Sequence, residues 1–219
     1  MKEILKLAAS LTLICAIAGA ALAFVGNLTA APKARAQAAQ RTAQMMLVLP
    51  PETADTKECL TAENGVVFFV AKDSQGRKLA WCAQGTDDKG FGGKVTVLAG
   101  LGLDDGRIRA IVVSENSETP GIGSNLCERN VKRSLWGVLR GGGTAANAAA
   151  LPPNRYLDGY SGQEMPADGL FAFAEKAAPG KIVPVSGATI TSRAILNAVN
   201  RICDAWQSEK SRLSMEAQP

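Results

Sequence analysis

The sequence predicts an α+β protein: one N-terminal transmembrane helix, then a single domain with a twisted antiparallel sheet and packed helices. Three observations carry this. Leu7 to Asn27 is an uncharged run rich in Leu, Ala and Ile. Between residues 66 and 114, apolar strand-like segments alternate with turns built from Gly and Asp. Near the C-terminus, Ile195, Val199, Ile202 and Trp206 recur at intervals of four, three and four, which places them on one helix face.

The apolar run is 21 residues long, roughly 31 Å as a helix against a hydrocarbon core of ~30 Å. Residues 1–28 are therefore expected to form the anchor. A cleaved signal peptide is the competing reading, with Lys2 and Lys6 as its basic start and Ala21-Leu22-Ala23 as its cleavage site. Basic residues stand on both sides of the run (Lys2 and Lys6 before it, Lys33, Arg35 and Arg41 after it), so charge alone does not orient it. Residues 29–50 are expected to be a helical stalk, because 29–46 are rich in Ala, Gln and Arg and the Pro50-Pro51 pair ends helix. Residues 51–219 are enough for one sizeable core, hence one domain.

In that domain, Val66 to Val70 and Lys78 to Cys82 read as strands around the turn Asp73-Ser74-Gln75-Gly76. Lys94 to Leu103 and Arg107 to Ser114 form a second pair joined by Asp104-Asp105-Gly106. Leu126 to Leu139 reads as a helix stopped by Gly141-Gly142-Gly143, residues 145–150 as loop with a short helix, and residues 192–210 as the last helix.

Composition narrows the chemistry. None of the 219 residues is His, which removes Ser-His-Asp and Cys-His catalysis, imidazole metal sites and histidyl-flavin links. There is no C-x-x-C-H or C-x-x-C cluster, so c-type haem and iron–sulfur ligation are excluded, and no metal site is expected. No Gly-rich dinucleotide fingerprint follows a strand. An electron carrier built on this chain needs an organic cofactor. Net charge is +4 with no basic stripe carrying interleaved aromatics, so nucleic acid is not an expected partner. Cys15 lies in the apolar run, and Cys59, Cys82, Cys127 and Cys203 read equally as disulfides or as separate thiols.

The segment Pro184-Val185-Ser186-Gly187-Ala188-Thr189-Ile190-Thr191-Ser192-Arg193 puts the Thr189 hydroxyl on a small-residue turn directly before the last helix. Unpaired N–H groups and the positive end of the helix dipole favour a phosphate there. Gly187 and Ala188 leave room for something bulky. The same residues are also ordinary cap and turn formers that need no ligand. Upstream, Thr119-Pro120-Gly121-Ile122 fits a type II turn, with Pro fixing φ and Gly supplying φ > 0.

Taken together, three segments resemble the FMN-binding domain family, in order and in spacing. They are Ser186-Gly187-Ala188-Thr189 with the residues after it, Glu118-Thr119-Pro120-Gly121-Ile122-Gly123, and Gly90-Phe91-Gly92-Gly93-Lys94. The family includes the G subunit of Rnf-type ion-translocating complexes and the C subunit of sodium-translocating NADH:quinone reductase. The short anchor with no extra domain is more similar to the former. The resemblance implies FMN esterified through its phosphate to Thr189 by a separate flavin transferase. It also implies a cofactor site that includes Ser186, Gly187, Ala188, Thr191, Glu118, Thr119, Gly121, Ile122 and Gly123. The 118–123 loop would close over the flavin ring, with amides around Gly121 and Gly123 donating to ring carbonyls. Val183 stands where family sites carry an Asp, six residues before the modified Thr. The implied protein is a single-pass subunit in the inner (cytoplasmic) membrane, with its domain on the periplasmic side and other membrane subunits as partners. It would relay electrons and have no catalytic residues of its own. The alternatives are an independent anchored or secreted flavoprotein reductase, and a flavin-free envelope scaffold in which 184–193 is only a capped helix.

Overall fold

A computed structural model describes residues 2–121, 123–129, 151–166 and 170–217. The chain divides into two compact units, Met1–Thr42 and Ala43–Pro219. The first consists of most of α1 (Lys2–Val48). An 18-residue window of mean hydropathy 2.3 makes this helix long and apolar enough to cross a membrane. It continues through Pro32, and Pro50 and Pro51 follow its end, as the sequence predicts.

The second unit is built on a five-stranded antiparallel meander in the order β1-β2-β3-β4-β5. The strands are β1 (Asp55–Thr61), β2 (Val67–Lys72), β3 (Lys78–Gly90), β4 (Gly93–Gly102) and β5 (Ile108–Glu115). The predicted strand pairs and their turns are present. Two features differ from the sequence reading. β1 is a largely exposed edge strand, whose polar sequence carries no alternating pattern. β3 runs eight residues beyond Cys82, because the polar residues in its second half find partners across the fold. Asp87 there is buried, with Oδ1 3.6 Å from the Arg201 guanidinium and Oδ2 accepting from Asn197 at 3.3 Å.

After β5 come α2 (Gly123–Cys127), α3 (Arg155–Asp158), a two-residue parallel pair β6 (Ala172–Phe173) and β7 (Lys181–Ile182), and α4 (Thr189–Ala217). The helix predicted over 126–139 overlaps α2 at Leu126 and Cys127, and residues 128 and 129 are not helical. There the Asn154 side chain donates to the carbonyls of Asn125, Leu126 and Glu128 and ends α2. Residues 130–139, the three glycines 141–143 and the 145–150 segment lie outside the described residues.

Helix α4 covers one face of the sheet. Its predicted apolar face, Ile195, Val199, Ile202 and Trp206, is buried against Phe68, Trp81, Ala83, Val97 and Ile111. The approach is close: a Cβ added at Gly85 would stand 2.5 Å from the Ala198 carbonyl oxygen. The opposite face is covered by the end of α1 and the residue after it. Met45, Val48 and Leu49 pack with Phe69, Leu98, Ala110 and Val112, and Val48 O lies where a Cβ on Gly100 would be, at 1.9 Å. Cys59, Cys82, Cys127 and Cys203 stand as separate thiols in this structure.

Candidate functional site

The site forms where the β3–β4 hairpin tip, the loop after β5 and the start of α4 converge. The chain enters α4 through a turn in which Ala188 N–H donates to Val185 O at 3.2 Å, and Ala188 O then accepts the Ser192 N–H at 2.9 Å. Gly187 has φ +84°, yet nothing lies within 4 Å of a Cβ placed on it. The glycine is required by the backbone conformation and not by space. The N–H groups of Thr189, Ile190 and Thr191 are in the first turn, so they have no intrahelical acceptor.

The hydroxyls of this segment differ in environment. Thr191 Oγ1 is buried and donates to Glu118 Oε2 at 2.8 Å. Ser192 Oγ is buried, donating to Ala188 O at 3.0 Å and accepting the Val185 N–H at 3.3 Å. Thr189 and Ser186 are exposed. Behind this turn, the Tyr156 hydroxyl donates to Ser192 O at 2.6 Å. Burial pushes the Tyr156 phenol up to about 12.

Glu118 is only 7% exposed. Two glycines admit its carboxylate: a Cβ on Gly123 would meet Oε2 at 2.5 Å, and one on Gly90 would meet Oε1 at 2.7 Å. Oε2 has the Thr191 hydroxyl, whereas Oε1 has no hydrogen-bond partner among the described residues. Cys127 lies nearby. Its thiol is pushed up to about 12, first by burial and then by the Glu118 and Glu128 carboxylates, so it is no nucleophile at neutral pH. In the loop between β5 and α2, Gly121 has the φ of +87° that a type II turn needs at this position. Its N–H donates to Ser124 Oγ at 2.9 Å and its carbonyl accepts from Asn125 Nδ2 at 2.6 Å. That amide is thus already engaged within the loop.

A cavity of about 440 Å3 opens between these elements, within the ~300–1,000 Å3 range of small-molecule sites. Phe91, Glu118, Thr119, Gly123 and residues 187–191 line it. Of the predicted site residues it gathers Gly187, Ala188, Thr189, Thr191, Glu118, Thr119 and Gly123. Ser186 and Gly121 instead line a neighbouring cleft, and Ile122 lies outside the described residues. Phe91 and Ile190 were not among the predicted site residues. The signal for Phe91 was its place in the 90–94 segment, as an aromatic residue between glycines.

The sequence profile of the FMN-binding domain family matches residues 90–204, more than half of the chain. A curated relative from Methanosarcina acetivorans, the G subunit of an ion-translocating oxidoreductase complex, is 32% identical over 129 residues, covering 56% of this chain and 68% of that protein. Proteins of the same name from Haemophilus influenzae and Photorhabdus laumondii are also similar. The first is 30% identical over 62% of this chain and 53% of its own length, so this chain spans about half of it. The second is 24% identical over 94% of this chain and 91% of its own length. The solved structure of Shewanella oneidensis NqrC is similar at 19% identity and a TM-score of 0.48, covering 78% of this chain and 74% of that one, a likeness too loose to add weight. With three motif segments converging on one cavity inside the matched region, the chain belongs to the FMN-binding domain family.

Proposed function

We propose that this chain is the membrane-anchored, electron-carrying subunit of an Rnf-type ion-translocating complex, with FMN esterified through its phosphate to Thr189. The observation that carries the attachment point is the contrast among the hydroxyls of the 184–193 segment. Thr191 and Ser192 are buried and bonded, Ser186 lies outside the cavity, and of these hydroxyls only that of Thr189 combines exposure with a place in the cavity wall. In the maturation step a transferase presents FAD. The Thr189 oxygen forms a bond to the FMN phosphorus, the pyrophosphate bridge breaks, AMP leaves, and the hydroxyl proton passes to the transferase.

The residues present fit such a group. Helix α4 offers the phosphate unpaired N–H groups and the positive end of its dipole. Among the described residues Glu118 Oε1 is a buried acceptor without a donor, and an unpaired buried oxygen of this kind asks for a ligand or a water. Thr119 and Gly123 complete the wall beside it. Bound there, FMN supplies electron transfer through its ring, a chemistry belonging to the cofactor. The protein positions the group and shields it, and needs no acid–base pair for that.

The curated relatives are named as subunits of an ion-translocating oxidoreductase complex, and this supports partners in the membrane and coupling of the relay to ion movement by the complex. Helix α1 is long and apolar enough to support single-pass anchoring by residues 1–28; residues 29–50 would then lead to a domain on the periplasmic side, the placement that the family resemblance implies. The test is peptide mapping of the chain isolated from native membranes, beside a Thr189→Val variant. An FMN mass on the Thr189 peptide, and loss of in-gel flavin fluorescence in the variant, are expected. Fluorescence that survives the substitution moves the attachment to Ser186, the other exposed hydroxyl of the segment.

A further inference from the structure

Phe91 is 68% exposed at the tip of the β3–β4 hairpin. Gly90 pairs with Gly93 across the hairpin, so Phe91 and Gly92 form its two-residue loop. The left-handed position of this turn falls on Gly93, at φ +110°, so the backbone accepts a side chain at 91 but gains nothing from an aromatic ring there. The loop is packed closely against its neighbours. A Cβ on Gly92 would stand 1.8 Å from the Ser117 carbonyl oxygen, and one on Gly90 would stand 2.4 Å from Gly93 O. Both glycines are therefore places where the hairpin is closely packed, Gly92 against the chain leading to Glu118. The clamped tip holds Phe91 in the wall of the cavity that Thr189 also lines, and Ile190, 52% exposed, belongs to the same wall. Two apolar side chains held open on a cavity with one buried polar acceptor match a ligand with a flat aromatic body and a few polar edges.

We propose that Phe91 is a cofactor-contacting residue that packs against the isoalloxazine ring of the flavin. This rests on the attachment of FMN to Thr189 and adds the residue that receives the ring. Covering the phenyl ring removes apolar surface from water, and aromatic pairs add to that gain beyond area alone. The covalent bond fixes the phosphate end, and Phe91 fixes the redox end.

The experiment uses the full-length chain matured with its transferase and isolated from membranes, as parent, Phe91→Trp and Phe91→Ala. Adduct loading is read by intact mass, and the fold by circular dichroism. An indole in contact with the ring donates an electron to the excited flavin, so Phe91→Trp is expected to shorten the flavin fluorescence lifetime several-fold. Phe91→Ala is expected to raise quenching by iodide, as the ring loses its cover. Loaded, folded variants with the parent's lifetime and iodide quenching would overturn the proposal, even if they no longer co-purify with other subunits. Loss of the adduct from both folded variants would overturn it too, by placing Phe91 in transferase recognition. A parent without flavin on Thr189 would instead sink the attachment itself.

Discussion

Replacing Thr191 with valine keeps the side chain's shape and deletes one hydrogen bond, the 2.8 Å contact to Glu118 Oε2. Both groups are buried, and Glu118 Oε1 already has no partner among the described residues. The substitution strips a buried carboxylate of the hydroxyl that satisfies its other oxygen. Hydrogen bonds to charged groups are worth about 1.5–3 kcal/mol net, and a stranded buried acceptor costs a similar amount. For a domain of this size each kcal/mol moves Tm by about 2–4 °C, so a fall of roughly 3–12 °C is expected. The assay is thermal unfolding of detergent-solubilised protein made without the transferase, so that no flavin contributes. A double-mutant cycle with Glu118→Ala completes it: once the carboxylate is gone, losing the Thr191 hydroxyl should cost under about 0.5 kcal/mol. An equal cost in both backgrounds, or no cost in the parent, would refute the idea that this pair ties the loop to the helix.

Two further expectations concern the stability of the domain. A chain starting at Ala43 should fold, whereas one starting at Pro51 loses Met45, Val48 and Leu49 from the back of the sheet. At about 1.5–3 kcal/mol per buried side chain the loss is roughly 5–9 kcal/mol, and urea titration of the two fragments measures it. Stability should also fall in alkali. Burial pushes Cys203 from 9.0 up to about 12 and Tyr156 from 10.0 up to about 12. The unfolded chain therefore releases these protons first, and stability that is full below pH 9 declines by up to about 1.4 kcal/mol per group per pH unit until each folded value is passed. Urea midpoints at pH 8, 9.5 and 11 that do not move would contradict this.

What could be read from the sequence was whatever depended on local spacing. The 4-3-4 interval of Ile195, Val199, Ile202 and Trp206 gave the helix and its buried face, and Pro120-Gly121 gave a turn whose φ is found at Gly121. The far half of β3 was hidden, because Asp87 reads as loop until Arg201 and Asn197 from α4 are beside it. β1 was hidden for the opposite reason: an exposed edge strand needs no apolar alternation. At the site, the motifs were legible one by one, but not the carboxylate that joins two of them. Glu118 and Thr191 are 73 residues apart, and no local pattern announces their bond. Gly90 and Gly92 had no visible reason to be glycine until the loop lay against them.

The 2.5 Å that separates a hypothetical methyl on Gly85 from the Ala198 carbonyl has a bearing on electron transfer. A rod pressed this tightly onto its support cannot slide or tilt without a clash, so its leading tip stays at a fixed station. If Thr189 carries the flavin as proposed, any movement of the dye toward a partner must therefore come from release of its ring from the cavity wall and from its own sugar-alcohol arm. The reach of such a relay would then be set by the walls around that arm, since the close seat of the helix leaves its first turn little room to shift.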